Sequence, residues 1–403
     1  MAGSLSHLRV LDLSRVLAGP WAGQLLADLG AEVIKVERPG EGDDTRGWGP
    51  PFLKDKDGND THESAYYLSA NRGKKSVAID FTQAEGQALI HRLVADCDVV
   101  LENFKVGGLA KYGLDYATLK AIRPDLVYCS ITGFGQDGPY APRAGYDFLI
   151  QGMGGLMSLT GASDGEPMKV GVALTDIFTG MYASVAILAA LAHRDRTGEG
   201  QHIDMALLDV QVAVLANQAT NYLVGGQVPR RLGNAHPNIV PYQAFPTADG
   251  HIILAIGNDG QFRRFCEVAG RPELGTDPLY AVNAERVRHR TQLVPLLEEI
   301  LASRPSAQWI ASLEQANVPC GPINTLPEVF ADPQVRHRGM AVTMAHPQSG
   351  DVTLVANPIR MSATPVSYDR PPPPLGGDTD QILGELLGLD RCGREALRAK
   401  GVI

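Results

Sequence analysis

The 403-residue chain predicts an α/β fold. A large domain on a doubly wound parallel sheet is followed by a smaller α+β domain. Three observations carry this expectation. Residues 8–38 read as strand, helix, strand; short β and α segments keep alternating to about residue 206; and the pattern changes at Gly225.

The first unit sets the type. Leu8–Leu13 is an apolar run of strand length, and Ser14–Gly19 is a turn. Pro20 suits a first helical turn, and Trp21–Leu29 has helical periodicity. Gly30 stops the helix, and Glu32–Val36 alternates into a second strand. The unit is of nucleotide-binding type, but it lacks Gly-x-Gly-x-x-Gly. In dinucleotide folds an acid after the second strand holds a free ribose hydroxyl, whereas an arginine there accommodates a ribose phosphate. Arg38, directly after Glu37, predicts a phosphorylated adenosine ligand.

Further strands are expected at Lys75–Asp80, Val99–Glu102, Leu126–Thr132 and His202–Met205. Helices are expected at Ala84–Ala95, Tyr116–Ile122, Asp147–Leu159, Thr179–His193 and from Leu207 to about Leu223. Gly133–Gly145 is a loop rich in Gly and Pro. Past Gly225, residues 228–246 are rich in Arg, Asn, His and Pro. Asp249-Gly250 is a hairpin signal before a strand at His251–Ile256. Helices follow at Gln261–Ala269, Ala284–Ala302 and Ala307–Gln315. A hairpin at Met340–Met344 and Val352–Val355, a proline run at Arg370–Pro374 and two closing helices complete the chain. The expected division is 1–224, 225–332, and a segment 333–403 returning to the large domain.

Composition narrows the function. A net charge of −9 argues against nucleic acid or an anionic membrane surface as the main partner, so local Arg and Lys must meet any anionic ligand. Five scattered cysteines without a C-x-x-C pair fit reduced, structural thiols. No apolar run is expected to span a membrane, and Met1–His7 is too short for a signal peptide, so a cytoplasmic setting is expected. Walker, His-Glu-x-x-His and Gly-x-Ser-x-Gly patterns are absent from the sequence.

Asp176, in Lys169-Val-Gly-Val-Ala-Leu-Thr-Asp-Ile-Phe-Thr-Gly180, is the sharpest candidate. The simpler interpretation makes Thr175 or Asp176 a helix cap. The functional one makes Asp176 a carboxylate nucleophile, with helix N–H groups stabilising developing oxyanions. Arg38, Arg46, Arg72, Lys74 and Lys75 follow early strands, where ligands of doubly wound sheets bind. Asn103, Lys105, Lys111 and Arg143 follow later ones. Their recurrence at strand ends suggests a polyphosphate ligand. Asn234, His236 and Asn238, near Arg230 and Arg231, form either a solvated turn or a loop for a small carboxylate.

Together, these segments resemble the class III coenzyme A transferases. The resemblance rests on VLDLSRVLAGPWAGQLLADLGAEVIKVERPGEGDDTR, NRGKKSV, VLENF, GYD, the Asp176 segment, GNAHPNIVPYQAF and VPCGPIN. It implies a Rossmann-like domain plus a small domain, in an interlocked homodimer. It implies that Asp176 attacks an acyl-CoA donor to give an aspartyl anhydride, then an aspartyl–CoA thioester open to a free carboxylic acid. Coenzyme A enters as substrate; no metal or permanently bound cofactor is implied. Val16, Leu17 and Ala18 would lie beside the thioester arm. Arg38, Asn103, Phe104, Lys105, Lys111, Arg143 and Tyr146 would serve CoA binding. Some members carry glutamine at the Leu17 position, so hydrogen bonding there must differ. The glycine-rich lid of oxalate-using members is replaced by Gly257-Asn-Asp-Gly-Gln261, which argues against formate and oxalate chemistry.

Racemases of the same fold need His before the Asp that here is Asp147. Tyr146 stands there, and tyrosine is a poor base near neutral pH. The likeness is strongest to succinyl-CoA-dependent enzymes of short dicarboxylates. Arg72, or the loop of Arg230, Asn234 and His236, would then receive the distal carboxylate.

Overall fold

The computed structural model describes residues 3–403. Its larger unit runs to Gly154, resumes over Gly171–Val214, and takes up the chain again at Gln334–Ile403. Its elements begin with β1 (Arg9–Asp12), α1 (Ala18–Asp28), β2 (Glu32–Glu37), β3 (Phe52–Lys54), β4 (Asp60–Ser64), α2 (Ala65–Ser69) and β5 (Lys74–Ala78). They continue with α3 (Ala84–Ala95), β6 (Val99–Glu102), α4 (Tyr116–Ile122), β7 (Val127–Thr132) and α5 (Asp147–Met153). After α6 (Leu156–Leu159), which lies in the smaller unit, come α7 (Leu174–Thr197), β8 (His202–Ala206) and α8 (Leu207–Ala213).

All six strands expected in this part of the sequence join one parallel sheet, in the order β5-β2-β1-β6-β7-β8. Val10 pairs with Val33 on one side and Val99 on the other. Alternate side chains feed two cores. Leu11, Ile34, Val77 and Val100 pack with Leu89, Ile90 and Leu93 of α3. Val10, Val33, Val99 and Val127 pack with Ala22 and Leu26 of α1 and Ala183 and Ile187 of α7. Burial on both faces explains why these strands read as apolar runs. Strand order reverses between β1 and β6, which opens a crevice beyond their carboxyl ends.

The C-terminal segment belongs here too. Ile382, Leu383, Val402 and Ile403 join the α3-side core, and Asp378 accepts a hydrogen bond from Ser76 N at 2.9 Å.

The smaller unit consists of Gly155–Val170 and Leu215–Pro333. Its antiparallel sheet is ordered Cys320–Pro322, His251–Ala255, Tyr242–Pro246. Phe245, Leu254, Phe262, Leu297 and Trp309 are fully buried in its core, and Trp309 Nε1 donates to Leu301 O at 2.8 Å.

Several elements differ from expectation. The β3–β4 hairpin went unforeseen because its strands are short and polar. The helix expected over 147–159 breaks at Gly155, whose φ of 87° is left-handed. The helix expected from Leu207 stops at Ala213 and restarts at Ala216, so the chain passes to the smaller unit at Leu215, ten residues before Gly225. The expected bounds likewise do not include 155–170 in the smaller unit. Helix α7 has 24 residues and, by length and composition, could cross a membrane, against the expectation that no run could. In this unit Thr179, Gly180, Ala183, Ile187 and Ala190 of α7 are buried.

Candidate active site

The crevice between β1 and β6 is where the expected site residues gather. A cavity of about 380 Å³ is lined by nine of them: Val16, Leu17, Ala18, Asn103, Phe104, Lys105, Arg143, Tyr146 and Asp176. Each group follows a strand end or opens a helix. Val16–Ala18 leave β1 and start α1; Asn103–Lys105 leave β6; Arg143 and Tyr146 end the loop after β7; Asp176 lies in the first turn of α7.

Side chains fasten these loops together. Asn103 Oδ1 accepts from Arg15 N at 2.9 Å while its Nδ2 donates to Arg15 O at 2.7 Å, joining the β1 and β6 loops. Phe104 N donates to Glu102 Oε2 at 2.8 Å, and the Arg15 guanidinium lies 5.0 Å from the Phe104 ring centre. Arg143 stacks on Phe134 and Tyr140. Helices α1 and α7 touch closely at Gly180, where a Cβ would meet Ala18 O at 2.6 Å. This absence of a side chain lets α7 carry Asp176, one turn earlier, toward the start of α1.

The residue at the N-cap of α7 is Ala173, and no side chain caps from that position. Asp147, from α5, does so instead: its Oδ1 accepts from Thr175 N at 2.9 Å and from Asp176 N at 3.3 Å. Its other oxygen accepts from Gln151 Nε2 at 2.6 Å. Asp176 is therefore not the cap, and its carboxylate accepts no hydrogen bond from the described residues. Burial, reinforced by the charge of Asp147, pushes its carboxyl up to about 7. With the Thr175 and Asp176 amides taken, the oxyanion role expected of the α7 terminus has no free donors at those two positions. The first turn of α1 can supply them, because the Ala18 and Gly19 amides have no preceding intrahelical acceptor.

Other wall residues escaped the sequence. Arg15, paired to Asp44 at 3.0 Å, and Trp48 line the cavity. Tyr66 stands edge-on to Trp48 with ring centres 5.2 Å apart. Burial, then the charges of Asp176, Asp147 and Asp43, raise its phenol to about 12. Only the aromatics around the unforeseen hairpin marked Trp48 and Tyr66.

Several expected ligands prove to be cations already paired within the larger unit. Arg72 is buried, holds Asp28 through two bonds of 2.9 and 2.7 Å and donates to Val355 O; it does not line the cavity. Arg46 is held by Glu37 and Glu63, Lys74 by Asp12, and Lys75 by Glu32. Strand-end spacing could not separate these from ligand-facing cations, because a buried partner arrives from distant sequence. Arg38 is exposed and paired to Glu41 at 2.9 Å, and Lys111 is exposed over the Tyr112 ring; neither lines the cavity. In the smaller unit, Arg230 and Asn234 are exposed, whereas His236 Nδ1 accepts from Asn238 N at 3.0 Å. Neighbouring Arg231 is spent on Ala162 O and Gly165 O.

The crevice is of nucleotide-binding type, and the half-buried Asp176 carboxylate is part of its lining. The model of CoA-transferase family III matches residues 5–379, and the chain belongs to that family. It is a class III CoA-transferase. It is 56% identical to the succinate–glutarate CoA-transferase of Agrobacterium fabrum, over 96% of both chains. It is 46% identical to the human succinyl-CoA:glutarate CoA-transferase, over 99% of this chain and 90% of that protein. Among solved structures, a CaiB/BaiF family protein from Brucella suis superposes with a TM-score of 0.84 at 54% identity, covering 96% of this chain and all of that one.

Proposed function

We propose that this enzyme moves CoA from succinyl-CoA to a short dicarboxylate, glutarate foremost, with Asp176 as the covalent relay. The observation that carries this is the Asp176 carboxylate itself. It accepts no hydrogen bond from the described residues, is half-buried, and lines the crevice cavity together with Leu17 and Ala18 at the start of α1.

The chemistry closes without any outside reagent. An Asp176 oxygen attacks the thioester carbonyl; the C–S bond breaks, and an anhydride and CoA thiolate form. The thiolate attacks the aspartyl carbonyl, the anhydride C–O bond breaks, and succinate leaves. The acceptor carboxylate then attacks the aspartyl–CoA thioester and releases thiolate, which takes the acceptor acyl group and restores Asp176. No metal or resident cofactor enters this route. Amides of Ala18 and Gly19 would receive the tetrahedral oxyanions. Arg38, Asn103, Phe104, Lys105, Lys111, Arg143 and Tyr146 are the proposed CoA contacts. The likeness to glutarate enzymes supports the acceptor class. The proposed homodimer finds support in Leu223, Val224 and Val228, all strongly exposed. Free cysteines suit a cytoplasmic setting.

A screen of free acids with succinyl-CoA as donor tests the proposal; formation of glutaryl-CoA is expected, and failure of every dicarboxylate would refute it. For the acceptor's far carboxylate the remaining candidates, on chemical grounds, are Arg230, Asn234 and His236. Changing Arg230, Arg231 and His236 to Ala together should raise the acceptor KM by about tenfold or more with donor KM little altered. An unchanged acceptor KM would remove that loop from recognition.

The elevated Asp176 carboxyl adds a pH dependence. Attack requires the ionised form, so kcat/KM for the donor should fall as pH drops through about 7. In Asp147→Asn the side-chain oxygen can still cap α7, but the repelling charge is gone. The acid limb should therefore move to lower pH. A limb that stays in place would mean Asp147 does not act on Asp176.

A further inference from the structure

The loop leading into α1 is held in an unfavourable conformation by groups that include Asp43 and Lys35, neither of which lines the cavity. Val16 has φ of 70°, the left-handed region that a β-branched residue strongly avoids. Its amide donates to both oxygens of Asp43, each at 3.3 Å. Asp43 is bound in turn by Lys35 at 2.8 Å, and both side chains are wholly buried. Lys35 also donates to Ser14 O at 2.8 Å, and Ser14 N donates to Asp12 at 2.9 Å. With Arg15 fastened at both ends by Asn103, every backbone donor and acceptor from Ser14 N to Val16 N is occupied. The chain leaves this clamp directly into Leu17 and Ala18, which line the cavity with Asp176.

We infer that the buried Asp43–Lys35 pair is a positioning device for catalysis, holding Val16 left-handed so that the first turn of α1 faces Asp176. The inference deepens the CoA-transfer proposal and rests on it. A strained residue persists only where its surroundings over-determine it, and such strain gathers at functional sites. Here the restraint is an ion pair reached from β2 and from the 3-10 turn after it, outside the reacting groups. An error of about 1 Å in the α1 amides would suffice to slow transfer by about 100-fold.

The test compares wild type, Asp43→Asn and the double variant Asp43→Asn/Val16→Gly as full-length proteins. Exchange of label between succinate and succinyl-CoA by wild type comes first; its absence with every acid tried would fail the functional proposal, not this one. Asp43→Asn should lower kcat by about 10- to 100-fold with CoA affinity little changed. Adding Val16→Gly should restore part of kcat, because glycine adopts positive φ without enforcement. A kcat for Asp43→Asn within about twofold of wild type overturns the inference, as does a folded single variant whose loss glycine does not relieve. Should the single variant fail to fold, amide exchange in wild type decides. The Val16 amide should be protected like a sheet amide; exchange at the rate of an open loop overturns the inference.

Discussion

Replacing Asp176 by asparagine should abolish CoA transfer, with kcat falling by about 10⁴-fold or more while CoA still binds. The amide keeps the shape of the side chain but offers no nucleophilic oxygen able to leave again as a carboxylate. The Asp147 cap engages the backbone amide of Asp176, so the fold has no reason to fail. Stability should in fact move the other way. The folded-state carboxyl lies near 7, above its unfolded value, because burial and Asp147 oppose its charge. A group shifted upward contributes stability in acid and loses that contribution as pH rises toward its folded pKa. Above pH 7 the wild-type fold therefore carries the full cost of an ionised carboxylate, which asparagine removes. Thermal melts should place the variant above wild type at pH 8, with the gap closing between about pH 7 and pH 4. A variant that transfers CoA normally contradicts the mechanism; one that melts below wild type at pH 8 contradicts the electrostatics.

Arg46→Met should cost the larger unit about 3–5 kcal/mol in urea denaturation, because it breaks a buried ion-pair network by removing the cation that bonds both Glu37 and Glu63. The Arg46 guanidinium holds both Glu37 oxygens, Glu63 Oε2, the Tyr67 hydroxyl and Pro373 O, and its side chain is 4% exposed. Its loss strands two buried carboxylates. Glu63 is already pushed to about 7 by burial even with Arg46 present, and would be protonated without it. Glu37 is otherwise held below the usual carboxylate range chiefly by Arg46, against the penalty of burial. The same pair of strands, β2 and β5, and the proline run lose a common anchor. If Arg46→Met instead leaves stability unchanged and weakens CoA binding, Arg46 is a ligand cation after all.

These two residues mark what could and could not be read from the sequence. The position of Asp176 was legible because an apolar segment delivers a lone acid to a helix start; the nucleophile role came with the family resemblance and stands as the proposal. The sheet was legible because burial on both faces leaves continuous apolar runs such as Val99–Glu102, whose bounds agree with the structure. Arg46 and Arg72 misled for a physical reason: their acids, Glu63 and Asp28, approach only after folding, so spacing alone made them resemble phosphate readers. Asp147 was weighed only as the neighbour of Tyr146, since a cap donated from another helix leaves no mark in local sequence. Trp48 and Tyr66 were missed with the polar hairpin that carries the chain between them.

Asp176 should carry a covalent bond to substrate during turnover, and one measurement addresses this directly. Enzyme mixed with succinyl-CoA and glutarate is quenched with hydroxylamine, which displaces the thiol or acid from an activated aspartyl carbonyl and leaves a hydroxamate. Peptide mass spectrometry should find that hydroxamate on Asp176, only when acyl-CoA is present. Sustained turnover with Asp176 unmodified, or with the label on another residue, would contradict the account.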